Sequence, residues 1–236
     1  MKTIGLLGGM SWESTVTYYQ IINEVVKKEL GGLHSAKILL YSVDFYPIEK
    51  YQANGEWDKI ADILSIEAKN LQKAGADFIV ICANTTHKIA PEIQKRIDIP
   101  IIHIAEATAE VLKQSNIEKV ILLGTKYTMT EDFYKNKLID NGISVVVPDN
   151  SSIEVLNNII YEELCLGIIS QESKQKCISI IEELSKDGAR GVILGCTEIG
   201  LLVKKEDVSI PVSKTGIDTS SCLTNNPISV HPSITP

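Results

Sequence analysis

The sequence predicts an α/β fold: two similar parallel-sheet α/β halves with pseudo-two-fold symmetry and an active site in the interdomain cleft. Three observations carry this expectation. Short runs such as Phe78-Ile79-Val80-Ile81 are apolar throughout, as strands covered on both faces are. They alternate with longer amphipathic stretches, which implies parallel sheets joined by helical crossovers. The third observation is an internal repeat. Ile4-Gly5-Leu6-Leu7-Gly8-Gly9 is echoed by Val120-Ile121-Leu122-Leu123-Gly124-Thr125, and each is followed by an aromatic-bearing helix (Tyr18-Tyr19; Phe133-Tyr134). Further on, Gly75-Ala76-Asp77-Phe78-Ile79-Val80-Ile81 is echoed by Gly188-Ala189-Arg190-Gly191-Val192-Ile193-Leu194.

Strands are expected at 3–7, 36–43, 77–82, 101–103, 119–124, 144–148 and 191–195. Helices are expected at 14–30, 56–74, 89–96, 104–115, 130–141, 152–164 and 171–186, with a turn at 199–203. Asp44 and Gln52 fall in a loop that also holds Tyr46, Tyr51 and Trp57, a segment suited to a lid. The halves are bounded at 1–112 and 113–212, with the chain free to cross between them near the C-terminus. Residues 213–236 are rich in Ser, Thr and Pro without strand or helix period, and read as an irregular tail.

Composition narrows the function. The 236 residues are 44% hydrophobic and 22% charged, with a net charge of −7. An acidic chain without a basic run is unsuited to nucleic acid or an anionic membrane surface. No apolar stretch approaches the ~20 residues of a membrane span. The N-terminal apolar run ends in a glycine turn and reads as a strand, not a signal peptide. Five cysteines, Cys82, Cys165, Cys177, Cys196 and Cys222, follow no zinc spacing. A reducing, cytoplasmic setting with free thiols is expected.

The chemistry concentrates in loops after strands, where open parallel sheets bind ligands. Gly8-Gly9-Met10-Ser11-Trp12-Glu13-Ser14-Thr15 offers a tight turn, backbone N–H groups for a carboxylate and Ser14-Thr15 as helix caps. It lacks the dinucleotide-binding glycine spacing. Cys82-Ala83-Asn84-Thr85-Thr86-His87 and Gly195-Cys196-Thr197-Glu198-Ile199 each place a thiol at a strand end. A strand-end cysteine is by itself more often a buried small hydrophobe than a nucleophile. Paired in a repeat and beside helix N-terminal amides, which lower a thiol pKa, two such groups suit proton removal and return on opposite faces of one carbon.

Together with Gly124-Thr125-Lys126-Tyr127-Thr128-Met129, these motifs resemble those of the aspartate/glutamate racemases that work without a cofactor. The resemblance runs from Met1 to about Val212. It implies an acidic amino acid as substrate, no metal, no pyridoxal phosphate and a homodimer. It implies Cys196 and Cys82 as the catalytic thiols. Asn84, Thr85 and Thr197 would bind the amino-acid end of the substrate, with Met10, Ser11, Gln52, Ala83, Thr128 and Glu198 around it.

Two features depart from the family pattern. Ala83 stands between Cys82 and Asn84, where many members have the thiol directly before Asn. The repeat makes the same point: an offset of 113 residues sets Cys82 on Gly195 and Ala83 on Cys196. Adjacent strand residues face opposite ways, so either the loop adjusts and brings Cys82 in, or Ala83 holds the catalytic position. The second departure is the segment after Val212, where Ser213-Lys214-Thr215-Gly216 replaces the family's Asp-Thr-rich turn and closing helix. Two other functions therefore stand beside racemisation. One is a single-thiol isomerase or lyase acting on a related dicarboxylate; the other is an inactive protein that binds an acidic amino acid. Glu198 reads as a helix cap or a proton shuttle, and His87 as a helix-start residue or an aid to Cys82.

Overall fold

The structure, a computed structural model, describes residues 1–214. The described residues cluster into two units, Met1–Ile104 and a second that begins at Ala105. The expectation of an irregular tail lies outside them from residue 215 onward.

In the first unit, β1 (Thr3–Gly8), β2 (Lys37–Ser42), β3 (Phe78–Ile81) and β4 (Ile101–Ile102) form a parallel sheet in the order β2-β1-β3-β4. In the second, β5 (Lys119–Leu123), β6 (Ser144–Val146), β7 (Val192–Leu194) and β8 (Val212–Lys214) repeat that order as β6-β5-β7-β8, again parallel throughout. The internal repeat thus corresponds to a repeated topology. β8 corrects the sequence reading, which saw no strand period past Val212. Its backbone pairs with β7 in the register Val192↔Val212 and Leu194↔Lys214.

Helices cover the sheets and bury their apolar stripes. In the first unit, α1 (Trp12–Leu30) packs on β1, while Ile60, Leu64, Ala68 and Leu71 of α3 (Trp57–Lys73) join Leu7, Ile79 and Ile81 in one core. In the second, Ile153 and Leu156 of α8 (Asn150–Asn158) and Cys177 and Ile181 of α9 (Gln171–Ser185) close over Ile121, Leu123 and Leu194. α5 (Ile104–Gln114) starts at the boundary between units. Tyr134 on α7 (Asp132–Ile139) is fully buried, and its hydroxyl bonds Thr108 Oγ1 at 3.3 Å.

Three expectations are corrected. The segment read as a lid loop is a helix, α2 (Phe45–Ala53). Asp44 caps it by accepting from the Tyr46 N–H at 3.1 Å, and Pro47 sits in the first turn, where its missing N–H has no helical partner to lose. Helix 130–141 is two helices, α6 (Lys126–Thr130) and α7, separated by extended Glu131. Helix 152–164 starts earlier, behind the Asp149 cap, and ends in a π-helical turn at Ile159–Glu163.

The β1–α1 turn depends on Gly9. Its φ of +92° is unfavourable for any residue with a Cβ, and a Cβ there would strike the Val43 backbone. Gly75 has φ +100° but open space around it. Gly9→Ala is therefore expected to cost more than about 3 kcal/mol, the sum of conformational strain and collision, and Gly75→Ala only about 1 kcal/mol. Urea denaturation of the two variants checks the difference; equal losses would contradict it.

Candidate active site

The first unit brings three loops to the carboxyl ends of β1, β2 and β3. Ser11, not Ser14 or Thr15, caps α1 by accepting from the Ser14 N–H at 3.3 Å. The two residues expected to cap do other work. Thr15 Oγ1 accepts from the Gly9 N–H at 2.8 Å and donates to the Ser11 carbonyl at 2.9 Å, which sets the glycine turn. Ser14 Oγ donates to the Cys82 carbonyl at 2.8 Å and ties the start of α1 to the end of β3. Met10 is buried, and its sulfur accepts from Thr86 Oγ1 at 3.6 Å. Gln52 lies one turn after Ile48 on the buried face of α2, with its Oε1 buried. Asn84 Oδ1 is also buried, and Thr85 opens a short 3₁₀ turn, Thr85–Ile89.

Cys82 and Ala83 face different surroundings. Ile79, Ile81 and Ala83 pack into one core cluster that does not include Cys82. The Cys82 side chain is fully buried and its Sγ lies 3.9 Å from the Val80 carbonyl, on the other side of the strand. Burial pushes its thiol pKa far up. In the second unit, Val192, Leu194 and Cys196 share one cluster, so Cys196 has the parity of Ala83. Backbone hydrogen bonds set the same equivalence. The Cys82 N–H donates to the Leu7 carbonyl at 2.9 Å, and the Gly195 N–H donates to the Leu123 carbonyl at 2.5 Å. Gly195 has no room for a side chain: a Cβ would lie 2.7 Å from the Leu123 carbonyl oxygen and 3.1 Å from the Thr128 methyl.

The second unit assembles a thiol, a hydroxyl and a carboxylate. Cys196 Sγ donates to Glu198 Oε2 at 2.9 Å, and Thr197 Oγ1 donates to the same oxygen at 2.8 Å. Both Cys196 and Glu198 are 8% exposed. Burial raises the Cys196 pKa most, followed by the charge of Glu198 and its hydrogen bond; the Glu198 N–H pulls weakly the other way. The expectation of a lowered thiol pKa is thus reversed. α10 (Ile199–Leu202) is a single turn, and the nearest charge is negative. Nor does Glu198 cap that helix with its side chain. Nearby, Thr125 caps α6 and its Oγ1 lies 3.2 Å from Thr128 Oγ1, while the Lys126 N–H donates to Asn157 Oδ1 at 3.0 Å. Thr125 and Asn157 were not singled out in the sequence. The first had a signal, an N-cap hydroxyl directly after the repeat glycine; the second, 31 residues from Lys126, had none.

His87 is a structural group. The Ile104 N–H can only donate, so Nε2, 3.3 Å away, accepts; Nδ1 then carries the proton and donates to the Ala83 carbonyl at 2.8 Å. The ring fixes the 83–87 turn to the start of α5 and has no nitrogen left for Cys82. His103 packs edge-on at 4.7 Å. Among the described residues, no group of three or more His, Cys, Asp or Glu is arranged to hold a metal ion, and no helix is long and apolar enough to cross a membrane.

Two repeated parallel-sheet units with polar strand-end loops, one carrying a thiol bonded to a carboxylate, fit a class of enzymes that move protons at carbon. The family model described as Asp/Glu/Hydantoin racemase matches residues 7–224, and the chain belongs to that family. It is 27% identical over 236 residues to the broad specificity amino-acid racemase RacX of Bacillus subtilis, covering 97% of both chains. Among solved structures, a Yersinia pestis protein assigned as an Asp/Glu racemase is 52% identical with a TM-score of 0.87, over 94% of this chain and 97% of that one. An aspartate racemase homologue from Pyrococcus horikoshii is 38% identical with a TM-score of 0.81 over the same shares.

Burial, and secondarily His103, lowers the His87 pKa from 6.5 to about 3. The unfolded chain takes up this proton below pH 6.5 and the folded chain does not. Stability is therefore complete above pH 6.5 and falls as the pH drops from there toward 3, by up to about 1.4 kcal/mol per pH unit. His87→Gln is expected to be less stable than the native chain at pH 7, and to lose less stability on acidification. Urea midpoints from pH 7 to 4.5 check this; parallel curves would contradict it.

Proposed function

We propose that this chain is an amino-acid racemase acting on aspartate or glutamate, with Cys196 as its central acid/base group. The observation that carries the proposal is the buried Cys196–Glu198 pair at the end of β7, 2.9 Å between sulfur and oxygen. A thiol with an adjacent proton acceptor suits exchange of a weakly acidic α-proton. Family membership and the relatives named for amino-acid, aspartate and Asp/Glu racemisation support the substrate class. We assign substrate binding to Ser11, Asn84 and Thr85 in the first unit and to Thr128 and Thr197 in the second, with Met10, Gln52 and Ala83 as lining residues of the first. The chemistry proposed needs no cofactor, since the proton passes between the substrate, the Cys196 thiol and the Glu198 carboxylate.

A second reading is favoured by one specific observation. Ala83 holds in the first unit the strand position that Cys196 holds in the second, while the buried Cys82 side chain lies on the other side of the strand. With one thiol in that position, the enzyme delivers or removes a proton on one face only. It would then be a one-directional isomerase or a lyase on a related dicarboxylate. Cys82 has the weaker claim to catalysis under either reading.

In D₂O, native protein is expected to wash the α-proton out of aspartate or glutamate, followed by proton NMR, with chiral chromatography reporting inversion. Cys196→Ala is expected to lose at least about 10²-fold of the exchange rate, the usual scale of one acid/base group, while Cys82→Ala retains most of it. Exchange with inversion from both enantiomers supports racemisation; exchange from one enantiomer alone supports the single-thiol reading. No exchange with either amino acid, in protein shown to be folded, would overturn the proposal.

A further inference from the structure

We propose that Glu198 is the proton acceptor for Cys196, a positioning residue through which the thiol releases and regains its proton. This rests on the reading of Cys196 as the acid/base group. A carboxylate directly before a helix can accept backbone N–H groups of the first turn. Here the side chain makes no capping bond, and Oε2 instead receives two side-chain donors, Cys196 Sγ at 2.9 Å and Thr197 Oγ1 at 2.8 Å. The sulfur–oxygen distance is that of a close S–H···O⁻ hydrogen bond. Both partners are buried, where the carboxylate acts on the thiol with little solvent screening.

Among the described residues, the titratable groups around the thiol are few. Glu198 approaches from its own segment. The Cys165 thiol, on the 3₁₀ turn Leu164–Leu166 packed against the same cluster, adds a weaker opposing effect. Cys177 of α9 belongs to that cluster too, its pKa pushed up to about 12 by burial and by Glu163. α8 contributes apolar Ile153 and Leu156. Among the described residues, Glu198 is thus the charged group in direct contact with the thiol.

The proton steps balance without another reactant. At rest, Cys196 is a thiol and Glu198 a carboxylate. For the thiol to act as base, its S–H bond breaks, the proton moves to Oε2, and the thiolate takes the substrate α-proton; the electron pair of the C–H bond stays on carbon as the carbanion. When the thiol then acts as acid, its S–H proton goes to the carbanion and the thiolate recovers the proton that Glu198 took in the first step, which restores the resting pair. Thr197 holds the accepting oxygen in place throughout.

The test follows the rate of Cys196 alkylation by iodoacetamide against pH, read by peptide mass spectrometry, together with α-deuterium exchange. Glu198→Gln keeps the size and removes the charge. The alkylation midpoint is expected to fall by at least about one pH unit, because a negative charge no longer opposes the thiolate. Exchange is expected to fall by about 10²-fold, mainly in kcat. An unchanged midpoint would overturn the proposal, and so would full exchange activity despite a lowered midpoint. If Glu198→Gln does not fold, Glu198→Asp draws the carboxylate away from sulfur and must lower the midpoint part of the way. Absence of exchange in the native protein would count against the proposed function alone; the alkylation arm would still decide whether Glu198 controls the thiol proton.

Discussion

Alternation along a parallel strand fixes which residue at its end faces which way, and the site in each unit depends on that constraint. In β3 and β7 the last paired residues, Ile81 and Leu194, stand opposite Leu7 and Leu123 on the neighbouring strand. The next N–H, of Cys82 or Gly195, still donates to that neighbour's carbonyl. The ladder hydrogen bond therefore persists one residue past the strand, and the residue after it, Ala83 or Cys196, packs in the same cluster as the alternate strand residues before it. A cysteine shifted by a single residue is thereby sent to the other side of the sheet.

Around this constraint the two units use their loops differently. The first spends its polar groups on rigidity. Thr15 spans the glycine turn, Ser14 ties α1 to β3, and His87 ties the following turn to α5 through both ring nitrogens. The second places its polar groups around sulfur. Gly195 leaves space for Thr128, and Thr197 and the Cys196 thiol converge on one carboxylate oxygen. A buried thiol beside a carboxylate is held in its protonated form. That arrangement differs from the activated thiolate of an electropositive site, and it suits proton exchange at carbon better than nucleophilic attack.

The repeat was legible because two sheets of the same order need the same apolar runs at the same spacing. The Ala83–Cys196 equivalence was legible for the same reason, since strand parity follows from counting residues. α2 was missed because Pro47 and the aromatic residues around it mimic a loop, although Asp44 carried a cap signal. β8 was missed because three residues show no period, and pairing with β7 decides their conformation. The direction of the Cys196 pKa shift was misread because sequence places a helix start beside the thiol but does not show where the Glu198 side chain turns. The role of His87 was hidden as well, since its partners are backbone groups of Ala83 and Ile104 whose proximity comes from the fold alone.

The measurement that bears most directly on this account is native-state alkylation of an Ala83→Cys variant, with the extents at Cys82 and at the introduced thiol resolved by peptide mass spectrometry. The account predicts modification of the thiol at position 83 and protection of Cys82 until the chain is unfolded. Modification of Cys82 in the folded protein, with the position 83 thiol protected, would reverse the strand parity on which the one-sided placement of Cys196 rests.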